Sequence, residues 1–182
     1  MLIRKISNII TLFWGIYFYK ILSIIPSHRI RLYYYKKKFG HIGENCSILM
    51  HCDIRNPKNI FLGDNVVINS RVLLDGRGGF VKIGNNVDIA QEVNIWTLQH
   101  DVNDDFHKSI GADVIIEDFV WIASRVTILP GRRLKRGCVV GSCSLVTKDV
   151  ESSTIVGGNP AKYLGDRKSN LNYNLYYRPK FK

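Results

Sequence analysis

Aliphatic residues recur in this chain every six positions. Ile42, Ile48, Ile54 and Ile60 open the series, and after a two-residue slip Leu62, Ile68 and Leu74 continue it. A second reset, at the "DGRGG" stretch of 75–79, leads to Ile83, Ile89 and Ile95. After a longer interruption come Ile116, Ile122, Ile128, Leu134, Val140 and Val146. Four places after these aliphatics stands a column of small residues: Val66, Val72, Val87, Val93, Val120, Val126, Cys138 and Ser144, broken at Arg132. A helix repeats every 3.6 residues and a strand every two, so neither needs a period of six. A solenoid with three short faces per turn does, because it points one large and one small residue inward on each face. The expected fold is all-β: a parallel β-helix of about five coils at roughly eighteen residues per turn, with turn-forming Gly, Asn and Asp at its corners. Strands on one face are parallel and pair only with the coils above and below.

The rhythm spans 41–165 and leaves two appendages. Residues 1–40 are apolar from Ile9 to Ile25 except for Lys20; Pro26 then ends a helix, and "RIRLYYYKKKFG" reads as a second, basic and aromatic one. No small-residue cleavage site follows the apolar run, which argues against a secretory signal. Three readings fit this segment: a helix pair lying on an anionic membrane surface, packing or oligomerisation, and a short membrane span. Residues 166–182 leave the period and are rich in Tyr, Asn and base, suited to wrapping back along the solenoid or covering a neighbouring subunit.

Charge follows the same division. The net charge is +11, yet eight Lys or Arg residues and no acid precede Glu44. The rhythmic body is nearly balanced, which argues against a nucleic-acid groove there. Cys46, Cys52, Cys138 and Cys143 show neither C-x-x-C nor zinc spacing, and they are expected to be buried, reduced thiols of a cytoplasmic protein.

The longer interruption, "NIWTLQHDVNDDFHKS" (94–109), places a histidine and several acids in an otherwise monotonous chain. Together with "WIASRVTILPG", "SLVTKDV" and "IVGGNPAKYLG", the hexapeptide region resembles the left-handed β-helix sugar O-acetyltransferases of the maltose, galactoside and nodulation type and their surface-polysaccharide relatives. The resemblance covers about Gly40 to Gly165, and the left hand of the coil comes from it. It implies direct transfer of an acetyl group from acetyl-CoA to a sugar hydroxyl in a ternary complex, within a homotrimer and with no metal. His100 falls on the family's general base. The chemistry needs one, since a hydroxyl is a poor nucleophile and a neutral imidazole can take its proton.

By the same resemblance, Asn69 and the backbone N–H of Ser124 are placed as donors to the oxyanion. Asn69 equally suits a structural corner, and Ala123 stands where the family usually has glycine. Asp75 lies near a substrate-binding acid, although "DGRGG" is a poor match; Asp101 orients the imidazole, lines the acceptor pocket, or is loop charge. Trp121, Ser124, Ser142, Thr147, Lys148 and Lys162 fall on cofactor-contacting positions, the two lysines apt for phosphate. "PGRRLKRGC" departs from the family's usual "PGVTIG": Arg132 stands in the small column, and the cluster Arg132, Arg133, Lys135 and Arg136 suits a phosphate site or a membrane-facing patch. Asp104, Asp105 and His107 read as solvated loop, and His28, His41 and His51 as structural. Two other classes compete. A γ-class carbonic anhydrase would need three converging imidazoles on zinc, for which the histidine spacing is poor; a non-catalytic, membrane-attached scaffold would leave the cofactor positions idle.

Overall fold

A computed structural model describes residues 18–181. The apolar run from Ile9 therefore lies largely outside the described residues. From His41 the chain winds as a left-handed parallel β-helix with three flat faces. The first face carries β1 (His41–Ile42), β4 (Ile60–Leu62), β7 (Val81–Ile83), β12 (Val114–Ile116) and β15 (Arg133–Leu134). The second carries β2 (Ser47–Ile48), β5 (Val67–Ile68), β8 (Asp88–Ile89), β13 (Trp121–Ile122), β16 (Val139–Val140) and β18 (Thr154–Gly157), and β18 is closed by the antiparallel β19 (Lys162–Asp166). The third carries β3 (Asp53–Arg55), β6 (Leu73–Asp75), β9 (Asn94–Ile95), β14 (Thr127–Ile128) and β17 (Leu145–Val146). Five coils are complete and β18 begins a sixth.

Register explains the period. Ile48 pairs with Ile68 and Ile68 with Ile89, so each large aliphatic stacks on its counterpart one coil away. Every aliphatic of the six-residue series is buried, as are the valines of the small column, Cys138 and Ser144. Each large side chain so buried contributes roughly 1.5–3 kcal/mol. The corners obey a rule of their own: the third residue after an inward aliphatic adopts positive φ. Asn45, Asn65 and Asn86 do so between the first and second faces, and His51, Arg71, Glu92, Arg125 and Cys143 between the second and third. Asparagine tolerates that region well. At the other corner the side chains point outward, and Glu92 bridges Arg71 at 3.5 Å and Arg125 at 2.7 Å.

Two departures from expectation follow from these corners. Cys46, Cys52 and Cys138 are buried free thiols, but Cys143 is exposed, because a positive-φ corner turns its side chain away from the core. Arg132 does not enter the core either: its guanidinium donates to the carbonyls of Pro130 (3.1 Å) and Thr147 (3.0 Å) at the corner after the third face. The rest of that basic cluster is neutralised across coils. Arg133 meets Glu117 at 3.0 Å, Lys135 meets Glu151 at 2.6 Å, and Arg136 lies 3.5 Å from Asp118 and over the Phe119 ring.

Both appendages close on the solenoid. Helical turns over 18–24 lead to α1 (His28–Lys36), which covers the open end of the first coil with His28, Arg31 and Tyr35. Arg31 donates to the carbonyls of Ile25, Pro26 and Ile48, and His28 Nε2 accepts the Ile48 N–H at 3.3 Å. No helix among the described residues is long and apolar enough to cross a membrane. The C-terminal segment runs the length of the corner between the first and second faces. Arg167 donates to the Phe119 and Gly137 carbonyls, Leu175 N–H to Asn86 Oδ1, and Arg178 to Asn45 Oδ1. The Ser47 hydroxyl meets the Tyr177 carbonyl, and Phe181 bridges to Ser27 beside α1. This strap lies along its own chain.

Candidate active site

At the corner after β9 the chain leaves the coil as an antiparallel hairpin, β10 (Leu98–His100) and β11 (Ser109–Gly111). Its root is tight. Gly78 N–H donates to Thr97 Oγ1 at 3.0 Å, a Cβ on Gly78 would collide with the Thr97 carbonyl, and one on Gly111 would collide with the Gly78 carbonyl. "DGRGG" therefore supplies the close backbone approach that seats the hairpin on the coil below.

His100 lies exposed at the end of β10. Its Nδ1 is 2.8 Å from the carbonyl of His107, and the two imidazoles stack at 3.8 Å and 9°. A carbonyl only accepts, so Nδ1 carries a proton, and in the neutral ring Nε2 is the nitrogen with the lone pair. His107, read from sequence as solvated loop, is thus the group that orients His100, and it adopts a positive φ of 55°. Asp101 does not orient it: Asp101 Oδ1 accepts the Asn103 N–H at 3.0 Å and forms a turn within the loop. Asp104 accepts from Phe106 and Lys108 N–H in the same way. At the tip, Val102 and Phe106 are each 93% exposed, so the hairpin reaches away from its own solenoid.

Asp75 is not open to an acceptor. Its carboxyl is fully buried, Arg77 holds both oxygens at 2.8 and 3.0 Å, and its carbonyl accepts from the Thr97 hydroxyl. Arg77, nearly half exposed, is the group this pair presents at the hairpin root. Trp96, four residues before His100, lies under the Arg55 guanidinium at 5.3 Å.

The remaining candidates fall on two corners. Asn69 follows β5, and its corner column continues through Ala90, Ala123 and Gly141 by backbone hydrogen bonds. Its amide donates to the Ile89 carbonyl at 3.0 Å and lies 3.4 Å from Asp88, whose carboxyl burial holds above the usual range. Ser124 and Ser142 occupy the same corner in successive coils, joined through the Cys143 N–H to Ser124 carbonyl bond. Trp121 stands beside them on the outer surface of β13, 46% exposed, and Lys162 pairs with Gly157 at the coil above. His100, Thr147 and Lys148 belong instead to the corner after the third face, where the Thr147 carbonyl receives Arg132. From Ser124 to Pro130 the chain crosses one face, roughly 20 Å at about 3.3 Å per residue. Within one protomer the imidazole and the Asn69–Ser124 column are therefore held apart.

Galactoside O-acetyltransferase of Lactococcus lactis is 36% identical over 131 residues, 69% of this chain and 62% of that protein, so the match spans less than two thirds of that relative. Chloramphenicol acetyltransferase of Escherichia coli is 33% identical over 153 residues, covering 79% and 70% of the two chains. The chain belongs to the hexapeptide-repeat acetyltransferases. Among solved members, one from Vibrio cholerae complexed with acetyl coenzyme A superposes with a TM-score of 0.77 at 30% identity, over 82% of this chain and 84% of that one. A maltose O-acetyltransferase from Clostridium difficile gives 0.76 at 25%, over 87% and 89%. No protein-family model matches the chain.

Two features of the site escaped sequence reasoning. The His107 carbonyl is a backbone group and leaves no mark in a residue list; only the seven-residue spacing of two histidines in one loop hinted at it. The signal that could have found Arg77 is the charge inside "DGRGG", beside an acid that would otherwise be buried alone.

Proposed function

We propose that this protein transfers an acetyl group from acetyl-CoA directly to a hydroxyl of a sugar, within a surface-polysaccharide or other glycan precursor. His100 Nε2 takes the hydroxyl proton while the oxygen attacks the thioester carbonyl. The tetrahedral oxyanion is met by the Ser124 N–H and the Asn69 amide. The C–S bond then breaks, and the imidazolium returns its proton to the departing thiolate. The observation that carries this reading is the His100 Nδ1 contact with the His107 carbonyl, which fixes the tautomer that leaves Nε2 basic.

Because His100 and the donor column sit on different corners, the working site is completed between copies. A second protomer brings its Asn69–Trp121–Ser124–Ser142 corner against the hairpin, and a homotrimer of parallel solenoids repeats that contact three times. Trp121 backs the pantetheine arm. Lys148 and Lys162 meet the coenzyme's phosphates, Ser142 and Thr147 supply hydroxyls along the groove, and Arg77 takes the acceptor-facing place that Asp75 cannot. The basic, aromatic N-terminal segment lies at the inner membrane face, where a lipid-tethered acceptor would be within reach.

The test is incubation with acetyl-CoA and a panel of sugars, nucleotide-sugars and chloramphenicol, with mass detection of one added acetyl group. Chloramphenicol is included because of the 33% identical relative. His100→Ala is expected to lower turnover by roughly 10²–10⁴-fold with coenzyme binding and assembly unchanged. Parent-like turnover in that variant refutes the base.

A further inference from the structure

The helix α1 divides its surface into three stripes. His28, Arg31 and Tyr35 are buried against the first coil, and Ile30, Tyr33 and Tyr34 face outward. Between them Arg29, Leu32 and Lys36 form one wall of a cleft, and the end of the C-terminal strap, Arg178–Phe181, forms the other. Glu44, Asn45 and Cys46 of the first coil floor it, and the cleft encloses about 800 Å³.

Charge in this cleft is one-sided. Among the described residues that line it, Arg29, Lys36, Arg178 and Lys180 face one carboxylate, Glu44, which stands 3.9 Å from Lys36. Arg178 is held by Asn45 Oδ1 at 2.7 Å and lies 4.8 Å over the Tyr176 ring, and among the described residues it has no acidic partner within ion-pair distance. Among the described residues neither Arg29 nor Lys180 has an acidic partner within ion-pair distance. On the solenoid body, by contrast, Arg133, Lys135 and Arg136 are each paired with a carboxylate on a neighbouring coil. Four cations brought together from two ends of a chain repel one another, and an anion seated among them removes that repulsion. The cleft is larger than one phosphate requires, and Leu32, Pro179 and Phe181 give its walls apolar surface for whatever the phosphate carries.

We propose that the cleft between α1 and the C-terminal strap is a binding site for a phosphate-ester anion, separate from the acetyl-transfer site. Arg29 and Arg178 offer planar forks to phosphate oxygens, and Lys36 and Lys180 serve as point charges. Two sources share that chemistry: the headgroup of an anionic lipid, for whose apolar part α1 and the helical turns before it expose Ile21, Ile24 and Ile30, and a soluble phosphate ester.

The experiment compares the full-length parent with an Arg29→Gln/Lys180→Gln double variant. Both residues are exposed, so the fold is kept, and a thermal melt checks it. One arm measures co-sedimentation with phosphatidylcholine vesicles, with and without phosphatidic acid; the other measures calorimetric binding of glycerol 3-phosphate. The double variant is expected to lose roughly thirtyfold in affinity for at least one phosphate probe, and the parent's binding is expected to weaken with added salt. Loss on the vesicles alone assigns the phosphate to a lipid, and loss on glycerol 3-phosphate assigns it to a soluble ester. Equal binding by parent and variant in both arms, or no binding by the parent in either, overturns the site. Acetyl transfer to a soluble acceptor stays at the parent level in the double variant, so this proposal and the transferase reading fail independently.

Discussion

The coil stack and the hairpin at 98–111 are built on opposite terms. In the coils every face repeats one instruction, an inward aliphatic and a small residue, and stability is shared among many equivalent contacts. The hairpin repeats nothing. It is held by two glycines at its root, two aspartates that cap its turns and one carbonyl on an imidazole, and its tip is bare. One region is rigid because it is redundant; the other is placed by a few contacts, each of which acts alone.

That contrast breaks if the two respond alike to substitution. Ile122→Ala, in the middle of a buried column, is expected to cost about 2–5 kcal/mol of unfolding free energy, read by denaturant melts. Gly111→Ala is expected to leave most of that stability intact and to lower acetyl transfer at least about tenfold, since the hairpin must shift away from the Gly78 carbonyl to admit a methyl group. A smaller loss of transfer is expected from Asp104→Ala, which removes the acceptor for Phe106 and Lys108 N–H; each lost loop hydrogen bond is worth about 1 kcal/mol. An unchanged hairpin enzyme, or a hairpin change that melts the coils, would erase the distinction.

Two subtler measurements sharpen it. His28 sits in the covered end of the solenoid as a neutral acceptor, and burial together with Arg31 lowers its pKa. The unfolded chain then takes up the proton first, so stability is full above the ordinary histidine value of about 6.5 and falls as pH drops below it. The melting temperature of the parent should decline more steeply on acidification through that window than that of His28→Gln. Thiol labelling gives the smallest effect. Burial pushes Cys52 and Cys138 up to about 12, so a maleimide should modify Cys143 alone in the native protein, with the other three reacting only on denaturation.

The coils were legible because burial and period coincide: no inward position named from the six-residue series is exposed, and the interruption marked the hairpin. Cys143 was misplaced although the rule was available. It is the third residue after Val140, and that place in the hexapeptide is an outward corner. At the site, His100 was singled out by its setting, while the His107 carbonyl beside it was not, because a backbone carbonyl has no letter in the sequence. Asp75 was read only as lying near a substrate-binding acid in a poorly matching stretch; its burial depends on the neighbouring Arg77, which closes over it. The resemblance implied a site between two chains, with His100 facing a shared groove. The period alone does not separate His100 from Asn69, because that depends on which corner each residue turns, and a two-residue slip in phase moves a side chain from one to another.

A stack of like units ordinarily frays from whichever end is weakest, one layer at a time. Here the segment beyond β19 crosses each layer and finishes beside α1, so peeling either terminal layer loosens the fastening of the other. The molecule is laced rather than merely piled. Clipping the lace near Lys168 should turn a single sharp melting transition into a broad one, beginning at the histidine-capped end.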